Sequence, residues 1–123
     1  MFFDGVLVDA PCTGSGTWHR NPDGRWRVGC ADLDAAVSRQ ERLLELAAAR
    51  VRRGGRLVYA TCSVFHRENS GQLRAFLAAH PGFRLEPGPH PLTGTATEGS
   101  VFFPPGPGGG NGMFMFRLRK IGD

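Results

Sequence analysis

Two apolar runs, FDGVLVD at residues 3–9 and RLVYATC at residues 56–62, constrain this chain more than any other feature. Each is too short for a stable helix and suits a strand buried on both faces, as in a parallel sheet. Between them a helix is predicted over residues 32–53. There Leu33, Ala36, Val37, Gln40, Leu44, Ala47 and Val51 recur at helical spacing on one face, while Arg39, Arg42, Arg50 and Arg53 lie mostly elsewhere. Asp32 is the expected cap of this helix, and Gly54-Gly55 its expected end. A second helix is predicted over 66–80, with Leu73, Phe76 and Leu77 facing inward. Short strands are predicted at 83–86 and 100–103, a turn-rich segment at 87–99, a Pro/Gly loop at 104–112, and a closing strand at 113–119. Strands alternating with helices imply an α/β sheet with parallel members. With 123 residues, the chain has room for one small domain.

The formal net charge is +4, and Lys120 is the only lysine, so the positive charge is almost all arginine. Arginine grips phosphate in a bidentate fork and stacks on bases, so the composition permits nucleic-acid binding; a solvated basic face is the plainer alternative. No apolar run is long enough to span a bilayer, and the N-terminus lacks the pattern of a secretory signal; a cytoplasmic protein with no membrane association is expected. The cysteines, Cys12, Cys30 and Cys62, are odd in number and form no C-x-x-C pair. This argues against a disulfide framework and against a zinc site, and no metal is expected. Such cysteines are either buried small hydrophobes or chemical groups.

Each long strand ends in a cysteine motif, Asp9-Ala10-Pro11-Cys12 and Thr61-Cys62-Ser63. In open α/β sheets ligands sit outside the carboxyl ends of the strands, so both thiols are expected on one rim. Either cysteine alone is more simply read as a packed hydrophobe. Cys30 matches neither motif and is read as structural. Asp9 can brace the following loop, Pro11 can set its exit, and Glu68-Asn69 can start the second helix.

Taken together, DAPCTGSGTWHRNPDGRW, the helix, and GGRLVYATCSVFHREN resemble motifs IV and VI of the NOP/Sun RNA (cytosine-5) methyltransferases. The closing GNGMFMFRLRK resembles that family's last motif, with Asn111 in place of its aspartate and Met113 in place of its first aromatic. The resemblance covers nearly the whole chain and lies closest to the bacterial ribosomal small-subunit enzymes. It implies a partial Rossmann-like class I methyltransferase sheet, from the fourth strand onward, with S-adenosyl-L-methionine as cofactor. Ribosomal RNA is the implied substrate, with transfer RNA as the other candidate. By the same resemblance Cys62 is the nucleophile, Cys12 assists product release, and Asp9 hydrogen-bonds the base, with Asp9 and Pro11 beside the cofactor. A cysteine thiolate suits this chemistry because it is a soft nucleophile and also a workable leaving group.

The segment after Cys12 is long and irregular, and such loops are usually functional or disordered. Trp18 and Trp26 can stack on bases and Arg20, Arg25 and Arg27 can reach phosphate; alternatively, the tryptophans cover the sheet edge. The glycine-rich cofactor turn, the ribose-binding acid and the active-site lysine implied by the resemblance are not seen in residues 1–123. The chain is therefore expected to be the C-terminal part of the domain and inactive alone. Two other readings stay open: a basic RNA-binding α/β module without catalysis, and a thiol redox or acyl-transfer domain with His66 as the only nearby base.

Overall fold

The computed structural model describes residues 1–18, 22–106 and 111–122. The first apolar run is strand β1 (Phe3–Asp9). A one-turn helix α1 (Gly24–Arg27) precedes the long helix α2 (Cys30–Ala48). Strand β2 (Val51–Thr61), helix α3 (Ser70–Ala79) and strand β3 (Phe83–Leu85) follow. Two two-residue strands, β4 (Gly88–Pro89) and β5 (Ala96–Thr97), pair only with each other. Strands β6 (Ser100–Phe103) and β7 (Met113–Lys120) complete the main sheet.

The main sheet runs β1-β2-β7-β3, with β6 also on β7. β1 and β2 are parallel, with Val6 opposite Leu57 and Asp9 opposite Ala60. β7 lies antiparallel to β2, placing Phe114 opposite Thr61 and Leu118 opposite Leu57. The period-2 pattern explains this register: Leu57, Tyr59, Phe116 and Leu118 all have essentially no exposure and meet α2 and α3 on one face. Tyr59 stacks on Phe116 with ring centroids 4.8 Å apart. Burying each such side chain contributes roughly 1.5–3 kcal/mol. Among the described residues no strand lies outside β1, and Leu7 is 68% exposed on that border.

The helix boundaries differ from the sequence expectation. Helix α2 begins at Cys30, and Asp32 serves as its N3 residue, its carboxylate accepting from the Gly29 N–H at 2.8 Å. The helix stops at Ala48, and Val51, expected on its face, is instead the buried start of β2 opposite Phe3. Gly54 does take a positive φ (+85°), but inside β2, where the pairing register with β1 slips between Phe3 and Gly5. The glycine pair forms a bulge in a strand rather than a helix cap. The second helix is also divided: His66–Glu68 is a 3₁₀ turn, Asn69 is non-helical, and α3 starts at Ser70. Cys30, read as structural, is exposed in the first turn of α2.

Candidate active site

The parallel pairing of β1 and β2 brings their carboxyl ends to one rim. Ala10 N–H donates to the Ala60 carbonyl at 2.9 Å, extending the pairing by one step beyond β1. Cys12 and Cys62 leave the sheet side by side, and their Sγ atoms lie 3.2 Å apart. Both thiols are free and half-buried. The hydrogen bond between them acts in opposite directions on the two groups. It raises the Cys12 pKa, as burial also does, so Cys12 keeps its proton. Donation from Cys12 lowers Cys62 to about 6, against the raising effects of burial and of the Asp9 and Glu68 charges. Near neutral pH the pair is one thiol and one thiolate, the form in which sulfur is nucleophilic.

Glu68 lies beneath the pair and has no solvent exposure. Its Oε1 accepts from the Thr13 N–H at 2.9 Å and from Gln40 Nε2 at 3.1 Å. Its Oε2 accepts from Thr13 Oγ1 at 2.8 Å and from Ser63 Oγ. Thr13 follows Cys12 and Ser63 follows Cys62, so one carboxylate holds both cysteine loops. Gln40 also donates to the Pro11 carbonyl at 2.9 Å, and its own carbonyl accepts from Gln72 Nε2 at 3.2 Å. Two buried glutamines thus connect α2 and α3 to the rim. Asn69 completes the Cys62 side: it accepts from Thr61 Oγ1 at 2.6 Å and donates to the Ser63 carbonyl at 2.8 Å. Buried polar groups must be satisfied, and here they satisfy one another.

The loop after Cys12 is anchored by backbone contacts. Gly16 N–H donates to the Cys62 carbonyl at 2.8 Å, and the Gly16 carbonyl accepts from Gly112 N–H at 2.7 Å. A Cβ on Gly16 would lie 1.8 Å from the Gly112 carbonyl oxygen, so this approach admits no side chain. Ser15 Oγ meets Ser63 Oγ at 3.1 Å and accepts from Val64 N–H at 2.9 Å.

The remaining residues singled out from sequence fall into two groups. Asp9 and Pro11 lie exposed on the rim at the carboxyl end of β1. Trp18 is half-buried and packs edge-on against Phe65 with centroids 5.7 Å apart, so it covers the loop after Cys62. Trp26, by contrast, is 76% exposed, with the Arg25 guanidinium 4.7 Å above its ring. Arg27 is exposed and 3.9 Å from Asp23. Arg20 lies outside the described residues. His66 Nδ1 is 2.6 Å from Ser70 Oγ. Among the described residues no group of three or more His, Cys, Asp or Glu could hold a metal ion, and no helix is long and apolar enough to cross a membrane. Sequence reasoning missed the parts played by Gln40 and Ser63, and it placed Glu68-Asn69 either as a match to the family's Glu-Asn after the Cys62 motif or as a helix start, without a role at the rim. The faint signal was a glutamine on an otherwise apolar helix stripe.

Residues 1–119 match the family model described as 16S rRNA methyltransferase RsmB/F. The chain belongs to this family. Its 41% identity to ribosomal RNA small subunit methyltransferase B of Thermus thermophilus extends over 94% of the chain and 29% of that relative. The Pasteurella multocida protein of the same name is 40% identical over 97% of the chain and 26% of its own length. The chain therefore spans less than a third of the curated relatives it matches. Among solved structures, NSun6 from Pyrococcus horikoshii with SFG superposes with a TM-score of 0.75 at 30% identity, over 96% of this chain and 30% of that one. A methyltransferase homolog protein from the same organism gives 0.77 at 31%, over 98% and 40%. The sheet is thus the Rossmann-like methyltransferase sheet of this family.

Proposed function

We propose that the chain is the C-terminal, thiol-bearing part of an S-adenosyl-L-methionine-dependent RNA methyltransferase domain that modifies carbon 5 of a cytosine in ribosomal RNA. The observation that carries this reading is the 3.2 Å approach of Cys12 and Cys62 at the carboxyl rim of a parallel strand pair. Family membership supports the methyltransferase class, and SFG, an S-adenosylmethionine analogue, accompanies one structural relative. In this reading Asp9 and Pro11, exposed at the end of β1, form one wall of the cofactor site. The cofactor supplies an electrophilic methyl group on a sulfonium centre.

The chain's own residues account for most of the rest. Carbon 5 of cytosine is a weak nucleophile. Cys62 adds as thiolate to carbon 6, and the electron pair displaced from the ring double bond builds up at carbon 5. Asp9 hydrogen-bonds the base and holds it as charge develops during attack. After methyl transfer a solvent base takes the carbon 5 proton, the electron pair of that bond restores the ring double bond, and the bond between Cys62 sulfur and carbon 6 breaks with its pair on sulfur. Cys12, which keeps its proton, donates to the departing sulfur across the same 3.2 Å gap and so assists release.

The decisive experiment is Cys12→Ala in the intact protein, incubated with RNA and S-adenosyl-L-methionine. A covalent protein–RNA adduct is expected on a denaturing gel, and a further Cys62→Ala change should abolish it. No adduct, or one independent of Cys62, overturns the reading. Exposed Trp26 under Arg25 favours a second reading, a basic module that binds RNA without catalysis. It predicts retention of RNA with no adduct in any variant.

A further inference from the structure

The rim poses a mechanical problem. Cys12 and Cys62 each lie on a loop just beyond a strand end, and the ladder between β1 and β2 fixes only the residues before them. A shift of about 1 Å in either loop would break a sulfur–sulfur hydrogen bond, because these contacts weaken steeply with geometry. Beyond the sheet, the Gly16 N–H bond to the Cys62 carbonyl ties the two loops at one point, and side-chain contacts must hold the residues next to the sulfurs.

We infer that Glu68 is the positioning residue that fixes the Cys12–Cys62 gap, by clamping the residue after each cysteine to a single carboxylate. The inference rests on the proposed roles of the two cysteines and adds a residue that touches neither the base nor the cofactor. Four donors converge on Glu68: the Thr13 N–H and hydroxyl, Ser63 Oγ and Gln40 Nε2. Its backbone is held as well, since Tyr59 OH donates to the Glu68 carbonyl at 2.7 Å from within the core. The clamp is therefore referenced to the centre of the sheet, where Tyr59 has no exposure. A bidentate acceptor with two oxygens in a fixed plane suits this task, because each oxygen takes one donor from the Cys12 loop and one from elsewhere.

Geometry and charge predict opposite effects here. The negative charge of Glu68 opposes ionisation of Cys62. If charge were its only influence, its removal would make Cys62 more acidic. If Glu68 holds the gap, its removal weakens the Cys12 hydrogen bond, and Cys62 becomes less acidic. Glu68→Gln separates the two further. The amide keeps one acceptor oxygen for Thr13 N–H and Gln40, and its NH₂ can donate to the two hydroxyls if these reverse their roles.

The test uses the intact protein and its Glu68→Ala and Glu68→Gln variants, each checked for a cooperative melt. Two readouts are taken that do not depend on methyl transfer: the pH profile of Cys62 alkylation by iodoacetamide, and the rate at which diamide links Cys12 to Cys62. In the latter, the two thiols become a disulfide and diamide is reduced to its hydrazine. In Glu68→Ala the alkylation midpoint should rise by about one pH unit or more, and disulfide formation should slow about ten-fold. Glu68→Gln should stay within about three-fold of wild type. A folded Glu68→Ala protein with an unchanged or lowered midpoint and an unchanged linking rate overturns the inference. If Glu68→Ala does not fold, the Thr13→Val/Ser63→Ala double variant replaces it, with the same rise expected and the same unchanged result overturning the clamp. Absence of an RNA adduct in the Cys12→Ala protein would defeat the proposed function while leaving these thiol readouts to judge Glu68 independently.

Discussion

Cys12 Sγ and Cys62 Sγ face each other across 3.2 Å, and the proton between them resides on Cys12. The asymmetry follows from the hydrogen bond between them and from burial. Cys12 is in the more enclosed loop, where burial adds to the hydrogen bond in raising its pKa. For Cys62 burial acts against the hydrogen bond, and donation from Cys12 prevails.

This asymmetry fixes a pH dependence. Because the Cys62 pKa is depressed to about 6, the thiolate persists as pH falls from neutrality and is lost as pH passes below about 6. Alkylation of Cys62 in the intact protein is therefore expected to be half-maximal near that pH. In Cys12→Ser the donor is a different and less well-matched group, and the midpoint should move up by about one unit or more, towards an ordinary thiol. Mass-spectrometric alkylation profiles of the two proteins measure the difference. Superimposable curves would rule out Cys12 as the cause.

Glu86 predicts a separate response to acid. It pairs with Arg56 Nε at 2.8 Å and Arg119 NH2 at 2.6 Å, and with 17% side-chain exposure it is partly shielded. Hydrogen bonds from Arg56 and then Arg119 lower its pKa to about 2 from an ordinary 4.5. A depressed carboxylate contributes stability that is fully present above the unfolded value and lost as pH falls through the folded one. The melting temperature should therefore fall between about pH 4.5 and pH 2. Glu86→Gln should be about 1–2 kcal/mol less stable at neutral pH and less sensitive across that window. Denaturant titrations at several pH values provide the comparison.

Gln40 offers a stability test of the buried network. Its side chain has no exposure and donates to both Pro11 and Glu68. Gln40→Leu has similar bulk but leaves two acceptors and the Gln72 amide donor each short of a partner, which should destabilise by about 2–4 kcal/mol. An urea midpoint equal to wild type would show that water replaces the amide without loss.

The outer border of β1 leads to a prediction about the chain by itself. Leu7 is 68% exposed and no strand lies beyond β1 among the described residues. In open sheets of this kind the cofactor crevice needs strands on both sides of the switch point. The 123-residue chain alone is expected to bind S-adenosyl-L-methionine weakly or not at all and to be inactive. Isothermal titration returning a micromolar dissociation constant would contradict this.

The strands were readable in the sequence because apolar runs bounded by Pro, Gly and charge leave little alternative, and β1, the second half of β2 and β7 lie where the pattern puts them. The end of α2 was not readable. Ala47 and Val51 fit helical spacing, yet Val51 gains more by pairing with Phe3 and burying completely, a tertiary preference that local pattern does not record. The Gly54-Gly55 pair was read as a left-handed helix end; Gly54 does take a positive φ, but both glycines lie inside β2. At the rim, the cysteines stood out because two motifs end consecutive strands. The part played by Glu68 did not, because an acid just before a helix reads as a first-turn residue, and only the fold reveals that four donors meet there.

Neither Gly16 nor Gly112 is among the glycines with positive φ, so neither is needed for an unusual backbone shape. What both positions require is emptiness. The Cys62 loop, the Cys12 loop and the lead-in to the final strand pass so close that a single methyl group would wedge them apart. A substitution at residue 112, remote in sequence from either sulfur, would consequently be felt first as altered thiol reactivity rather than as a loosened C-terminal strand.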